Sequence, residues 1–267
     1  MKIAIIGAGN MGGAIAIGIV KSKLVQACDI VVSNPSTEKL DALKNLYPNI
    51  QITTNNAVAA SSADVVFLAV KPWKAEDVIT EIKPSLDYSK QVIVSVIGGI
   101  SCEQLDRLLL SDSGSLPQLY LIIPNTAITT GCGVTFISGK RTADVIKNNL
   151  LALFSTMGKA MYIDEALMPA ATSLASCGIA YALQYIKVAT EGGVQLGFSH
   201  EESLSVVMQT IQGALEVLRA SGANPTDEIA RVTTPGGLTL RGLQAMEESG
   251  FEQAVINGLC ASTIIKN

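Results

Sequence analysis

The opening stretch Lys2-Ile3-Ala4-Ile5-Ile6-Gly7-Ala8-Gly9-Asn10-Met11-Gly12 constrains this chain more than any other. Residues 2–6 read as a fully buried parallel strand. The next six fit G-x-G-x-x-G, and Ala14, Ile15, Ile17, Ile19 and Val20 continue as an apolar helix. Strand, glycine turn and helix in that order give the motif its meaning. The glycines permit a tight turn and close backbone approach to a pyrophosphate. The helix starting near Met11 offers free N–H groups and the positive end of its dipole. Gly7, Ala8, Gly9, Asn10, Met11 and Gly12 are therefore expected to bind a dinucleotide; the alternative is a glycine-rich packing turn. The same breakers, with Gly13, argue against reading the uncharged stretch between Lys2 and Lys21 as a membrane span or signal peptide.

Further buried strands are expected at Ile30–Val32, Ile50–Thr53, Asp64–Val70, Gln91–Val96, Leu119–Ile123 and Val134–Ile137, with helical stretches between most of them. Such alternation predicts an α/β fold, an N-terminal Rossmann-type doubly wound sheet. From about residue 164 the strand signals stop. Residues 165–195 read as one long apolar helix with Gly197 as its stop. Ser199 and Glu202 form a capping box for a helix reaching about Arg219. Asn224-Pro225-Thr226 starts a short helix, and two more follow the break at Thr234-Pro235-Gly236-Gly237. The expected domains are a 1–162 dinucleotide-binding domain and a 163–267 all-helical substrate and dimerisation domain. A helix apolar on most faces needs cover on each side, so the helical half is expected to build a dimer. The alternative is that it packs only against the sheet domain.

Composition excludes several classes. Charged residues are 16% and hydrophobic ones 48%, too few charges for a disordered chain. A net charge of −4 and 4% aromatics supply neither a basic surface nor stacking platforms for nucleic acid. Cys28, Cys102, Cys132, Cys177 and Cys260 form no C-x-x-C pair, and His200 is the sole histidine. No metal site and no disulfide framework are expected, and a cytoplasmic location fits. His200 falls in a first helical turn, a surface position. Cys177 reads as a small buried residue, and the methionines as core fill.

An NAD site usually places an acid at the end of the second strand. Here that end reads Ser33-Asn34-Pro35. With no acid to repel a 2′-phosphate, NADPH is favoured, NADH remaining possible, and Ser33 and Asn34 are the expected donors. Lys39 is either a phosphate partner or a solvated helix residue. Ala69-Val70-Lys71-Pro72 closes the fourth strand and should line the cofactor crevice. Lys71 is either a general acid or a surface lysine. Asn125 either orients a nicotinamide or substrate or is a plain turn residue. In Thr234-Pro235-Gly236-Gly237-Leu238-Thr239, two glycines ahead of a helix recreate an anion site suited to a small carboxylate. The alternative is an inter-helix loop with a capping threonine.

These segments together resemble the pyrroline-5-carboxylate reductase family over essentially the whole chain. The resemblance is carried by Gly7-Ala8-Gly9-Asn10-Met11-Gly12, Ala69-Val70-Lys71-Pro72, Pro124-Asn125-Thr126 and Thr234-Pro235-Gly236-Gly237-Leu238-Thr239, the last matching the family's Ser/Thr-Pro-Gly-Gly-x-Thr signature. Departures occur at Leu121, where the family commonly has arginine, at Ala127, at Ala230, and along Ala175-Ser176-Cys177-Gly178-Ile179-Ala180-Tyr181. The resemblance implies hydride transfer to the imine carbon of 1-pyrroline-5-carboxylate, giving L-proline. It implies interlocked homodimers or rings of dimers, with sites completed by a partner's helices. It also implies Gly236 and Gly237 at the substrate carboxylate, Thr239 as the catalytic hydroxyl, and Cys177, Gly178 and Asn125 around the substrate. Two rivals stand beside it. A β-hydroxyacid dehydrogenase on the same architecture needs a catalytic lysine, for which Lys187 is the available residue. A non-catalytic NADP-binding protein would have no use for the Pro-Gly-Gly-x-Thr segment.

Overall fold

Alternation of side chains in a strand covered on both faces sets the architecture. In β1 (Ile3–Ile6), Ile3 and Ile5 face one core, and Ala4 and Ile6 the other. The chain then runs α1 (Asn10–Ser22), β2 (Ile30–Ser33), α2 (Thr37–Leu46), β3 (Gln51–Thr53), α3 (Asn56–Ser61), β4 (Val65–Leu68), α4 (Ala75–Ile82) and β5 (Val92–Ser95). It continues through α5 (Cys102–Leu109), β6 (Gln118–Pro124), β7 (Gly133–Lys140), α6 (Asp144–Ser155) and β8 (Gly158–Tyr162). This is seen in a computed structural model that describes residues 1–263. Ile15 and Ile19 of α1, Leu40 of α2 and Leu153 and Phe154 of α6 fill the first core. Ala59 of α3, Ile79 of α4 and Leu105 of α5 fill the second.

The eight strands lie in the order β3-β2-β1-β4-β5-β6-β7-β8. The order reverses between β1 and β4, the place where such sheets open a crevice at their carboxyl ends. All pairings are parallel except β6–β7. That antiparallel pair makes the sheet mixed, a feature the alternating pattern did not signal. Strand β8 was also not anticipated. Lys159, Met161 and Tyr162 are exposed along it, so it lacks the apolar run of a buried strand. Gly158 (φ 136°) sits so close to Gly133 that a Cβ would overlap its backbone.

The expected single helix over 165–195 is four consecutive pieces. Residues 165–167 make a 3-10 turn, α7 spans Met168–Ala171, and Thr172–Cys177 is π-helical before α8 (Gly178–Gln195). Two compact units divide between Ser176 and Cys177. Met168, Ala171 and Ala175 belong to the second core of the sheet unit, although they lie beyond the 162/163 boundary expected from sequence.

The second unit contains α8, α9 (His200–Ser221), α10 (Pro225–Arg231), α11 (Leu238–Glu248) and α12 (Phe251–Ala261). Ser199 and Glu202 form the expected capping box at α9, and Asn224 caps α10. The serine hydroxyl, then the serine N–H, hold the Glu202 carboxyl below its ordinary value. Gly193 allows α9 to pack closely on α8, since a Cβ there would overlap the Ser203 hydroxyl. That hydroxyl donates to the Thr190 carbonyl at 2.8 Å.

Candidate active site

The crevice at the carboxyl ends of β1 and β4 gathers most of the residues expected at the cofactor. Gly7 has φ 106°, a conformation that favours glycine, and a Cβ there would lie 2.6 Å from the Ala69 carbonyl oxygen. A Cβ on Gly12 would overlap the Gly7 carbonyl oxygen and sit 3.0 Å from the Ala69 Cβ. These two glycines are therefore demanded by the protein's own packing, and they bring Ala69 and Val70 against the turn. Gly9 differs. Its φ is −68°, and a Cβ there would meet no atom within 4 Å. Gly9 caps α1 with no side-chain hydrogen bond, so the N–H groups of the first turn, Asn10, Met11 and Gly12, face outward. Open approach at Gly9 and unpaired N–H groups beyond it are the cradle a diphosphate requires.

The end of β2 corrects part of the expectation. Asn34 Oδ1 accepts the Ala8 N–H at 3.1 Å, and Asn34 Nδ2 donates to the Ser36 carbonyl at 3.0 Å. Ala8 is thus a strut of the turn, its N–H engaged by Asn34 instead of presented to phosphate. The Gly7 N–H likewise donates to the Ser33 carbonyl at 2.8 Å. Ser33 is fully buried, and its hydroxyl donates to Asn56 Oδ1 at 2.8 Å. Asn56 Nδ2 donates in turn to Glu81 at 2.8 Å. Sequence reasoning missed Asn56; as the residue after the α3 cap Asn55, it reads only as part of a helix start. Lys39 is exposed on α2. No acid stands at the strand end itself, so the residues present fit a phosphorylated ribose.

Lys71 and Pro72 are exposed just beyond β4, and the Lys71 ammonium lies 5.8 Å from the centre of the Trp73 ring. Trp73 is 74% exposed. Across the sheet, Asn125 directly follows β6 and is buried. Its Oδ1 accepts the Val134 N–H at 3.2 Å and its Nδ2 donates to the Ala175 carbonyl at 3.4 Å. Beside it the Ser176 hydroxyl donates to the Pro124 carbonyl at 3.2 Å. A cleft of about 680 Å³ opens at the ends of β5 and β6, with Ile97, Leu121, Ile123 and Met168 among its lining and Glu165 at its side. Glu165 also accepts the Cys102 N–H at 2.7 Å, joining the start of the 165–177 helical run to α5. Burial, then the Glu165 side chain, push the Cys102 thiol up to about 12.

In the second unit, Thr234-Pro235-Gly236-Gly237 is a tight turn. Gly236 has φ 71°, and the Gly237 N–H donates back to the Thr234 carbonyl at 2.9 Å, the pattern of a type II turn with Pro and Gly at its centre. The Gly237 N–H therefore closes the turn and is not a carboxylate donor, contrary to the sequence expectation. Gly237 caps α11 with no side-chain bond, which leaves Leu238, Thr239 and Leu240 as the outward N–H donors. Thr239 is exposed in this first turn. Cys177 is half-buried, not buried as expected, because it stands at the last position of the π turn, where the helical unit begins with almost no interior of its own; the buried cysteine is Cys102. Gly178 is half-buried as well. His200 is exposed, as its capping position implied. Lys187 is exposed and lies 3.8 Å from Glu191 one turn on, a solvated pair. Of the methionines, Met157 and Met168 are core residues, whereas Met161, Met208 and Met246 are exposed. Among the described residues no group of three or more His, Cys, Asp or Glu is arranged to hold a metal.

Comparison with known proteins gives two family matches. Residues 165–265 match the family described as pyrroline-5-carboxylate reductase dimerisation. Residues 2–99 match NADP oxidoreductase coenzyme F420-dependent. Pyrroline-5-carboxylate reductase 1 of Dictyostelium discoideum is 33% identical over 98% of this chain, which spans about half (48%) of that relative's length. The pyrroline-5-carboxylate reductase of Aquifex aeolicus is 32% identical, covering 96% of this chain and 92% of its own. Among solved structures, a pyrroline carboxylate reductase of Plasmodium falciparum with NADP bound superposes with a TM-score of 0.89. It is 27% identical, covering 98% of this chain and 95% of that one.

Proposed function

Because this chain belongs to the pyrroline-5-carboxylate reductase family, we propose that it reduces 1-pyrroline-5-carboxylate to L-proline. The observation that carries this reading is the coexistence of two features in one chain. They are the Gly9 diphosphate cradle and the Thr234–Thr239 turn opening α11. When bound, NADPH supplies the hydride for the imine carbon. The rest falls to the chain's own residues. The first-turn N–H groups of α1 and the open Gly9 hold the diphosphate. Ala69, Val70, Lys71 and Pro72 border the cofactor, Ser33 and Asn34 shape the ribose end, and the absence of an acid there favours NADPH over NADH.

The N–H groups of Leu238–Leu240 hold the substrate carboxylate on the α11 dipole, with Gly236 and Gly237 setting the turn. The Thr239 hydroxyl hydrogen-bonds the ring nitrogen and relays its proton. Reduction of a protonated imine requires no base to remove a hydroxyl proton. Orientation and hydrogen bonding dominate, and oriented reactants are worth about 7–11 kcal/mol of barrier. That suits a site without a well-placed histidine. Cys177 and Gly178 border the substrate in this reading, and Asn125, buried with both ends of its carboxamide engaged, stands behind the turn that leads into them. The exposed Lys187–Glu191 pair gives no support to a lysine-based hydroxyacid dehydrogenase.

Glu165–Gln195 is long and apolar enough to cross a membrane by length and composition, with 22% of the window buried. It falls inside the matched dimerisation segment, so we read its apolar surface as covered by a second subunit, in a homodimer or ring of dimers in the cytoplasm. The test is NADPH oxidation with 1-pyrroline-5-carboxylate, with NADH and a piperideine carboxylate in parallel. Proline formation, faster with NADPH, is expected. Confirmed cofactor binding without oxidation of any imine would overturn this reading and support the non-catalytic one.

A further inference from the structure

We propose that Asn125 is a positioning residue that latches the π-helical turn Thr172–Cys177 onto the end of β6. Its carboxamide is buried and engaged at both ends. Oδ1 accepts the Val134 N–H, which lengthens the β6–β7 pairing by one residue, and Nδ2 reaches the Ala175 carbonyl inside the π turn. The backbone reinforces the first contact, since the Asn125 N–H donates to the Val134 carbonyl at 3.1 Å. One residue along the π turn, the Ser176 hydroxyl donates to the Pro124 carbonyl. Two side chains, one from each partner, therefore tie the same two segments together.

A π turn needs such support. Its i→i+5 bonding departs from the regular ladder, occurs mostly as single turns, and is frequent at functional sites. Asn125 rigidifies this one by occupying the Ala175 carbonyl. The turn ends at Cys177, next to Gly178, so its register fixes where those two residues are presented. On the reading that they border the substrate, on which this inference rests, Asn125 acts on substrate affinity through the turn and not by touching the nicotinamide.

Asn125→Asp separates the roles. It keeps the acceptor for Val134 and turns a carboxylate oxygen, in place of a donor, toward the Ala175 carbonyl. The expected result is a KM for 1-pyrroline-5-carboxylate raised roughly five- to tenfold, the worth of about one lost hydrogen bond with an unsatisfied partner. NADPH affinity should stay within about twofold, and amide exchange at residues 173–181 should accelerate by a similar roughly five- to tenfold factor. A merely destabilised enzyme would lose active fraction, lowering kcat with KM unchanged. Ser176→Ala should move the same parameters in the same direction, and the double variant should fall short of the product of the two effects. It also carries the test should Asn125→Asp fail to fold. Weakened NADPH binding with unaltered exchange at 173–181 would overturn the proposal and make Asn125 a direct cofactor contact. Unchanged KM and unchanged exchange in both variants would overturn it as well. Exchange is measured without turnover, so the latch is tested even if the imine proves not to be the substrate.

Discussion

Gly9→Ala should separate folding from cofactor binding. At Gly9 the backbone is extended, with φ −68°, and a Cβ would meet nothing within 4 Å. Alanine is therefore tolerated by the protein itself. It loses up to about 1 kcal/mol as a helix cap and regains about 0.4–1 kcal/mol through a less flexible unfolded chain. The two nearly cancel, so the Tm should move by no more than about 4 °C, the shift that about 1 kcal/mol produces in a chain this size. Binding responds differently if a diphosphate lies over Gly9. An added methyl in a filled contact costs about 1–3 kcal/mol. At 1.4 kcal/mol per decade, NADPH affinity falls roughly five- to 150-fold. Thermal unfolding followed by circular dichroism gives the first quantity, and titration calorimetry with NADPH gives the second. A variant of normal stability that binds NADPH as tightly as the parent would refute the placement of the diphosphate at this turn.

Gly12→Ala should fail in the other way: its Cβ would overlap the Gly7 carbonyl, so the Tm drops along with binding, by an overpacking cost of about 1–3 kcal/mol. Thr239→Ala should lower turnover beyond about tenfold, the scale of lost proton transfer, with NADPH affinity intact; unchanged turnover would remove Thr239 from the mechanism. Trp73, the sole tryptophan, stands two residues beyond Lys71 at the crevice, so exciting indole should sensitise emission from bound NADPH. Trp73→Phe gives the background without indole, and a parent whose emission from bound NADPH does not exceed that background would place the cofactor elsewhere. The Cys102 thiol, raised from 9.0 to about 12, ionises in the unfolded chain first, so stability present below pH 9 is lost as pH rises toward 12. At pH 10 the loss from this thiol is on the order of 1 kcal/mol, and Cys102→Ala should flatten that decline in urea midpoints; an equal slope in both proteins would contradict it.

Much of the sheet unit was legible because its signals are local. Buried parallel strands are continuous apolar runs, and Val65–Leu68 or Val92–Ser95 can hardly be read otherwise. Helix starts at Ser199 and Asn224 were legible because a cap is written in three or four adjacent residues. The failures share a cause as well. β8 is exposed along most of its length and takes its shape from pairing with β7, a contact no window of sequence contains. The π turn is tied by Asn125 to the Ala175 carbonyl and by Ser176 to the Pro124 carbonyl, contacts that span about fifty residues. At the glycine turn the motif disclosed the tight turn and the helix start, but not that Asn34 holds the Ala8 N–H. At the Pro-Gly-Gly turn the same limit applied: the turn and the helix start behind it were readable, while the hydrogen bond that engages Gly237 follows from the φ of Gly236. Pro169 was the one local warning that the 165–195 run is not a single uninterrupted helix.

The helical unit poses a different problem, since its sequence is apolar yet its structure as a single chain has almost no interior. Among its described residues only Thr190 and Ser203 are buried, and both belong to the close α8–α9 crossing. Leu183, Val188, Leu196, Phe198, Val206 and Leu215 are all exposed. Burying one such side chain is worth about 1.5–3 kcal/mol, against about 1–2 kcal/mol to order each residue's backbone. Five helices cannot hold a fixed arrangement on that balance while their large side chains stay in water. The missing burial has to come from outside the unit, and the dimerisation match over 165–265 names a chain of this kind as the source. Folding of this half and association are then one event, with stability that depends on protein concentration. The same coupling bears on catalysis. The exposed first turn of α11, with Thr239, is held by helices that acquire their core only on association. Dilution below the dissociation constant of the assembly should therefore remove turnover before it removes cofactor binding, because the Gly7–Gly12 turn rests on a sheet whose core is complete within one chain.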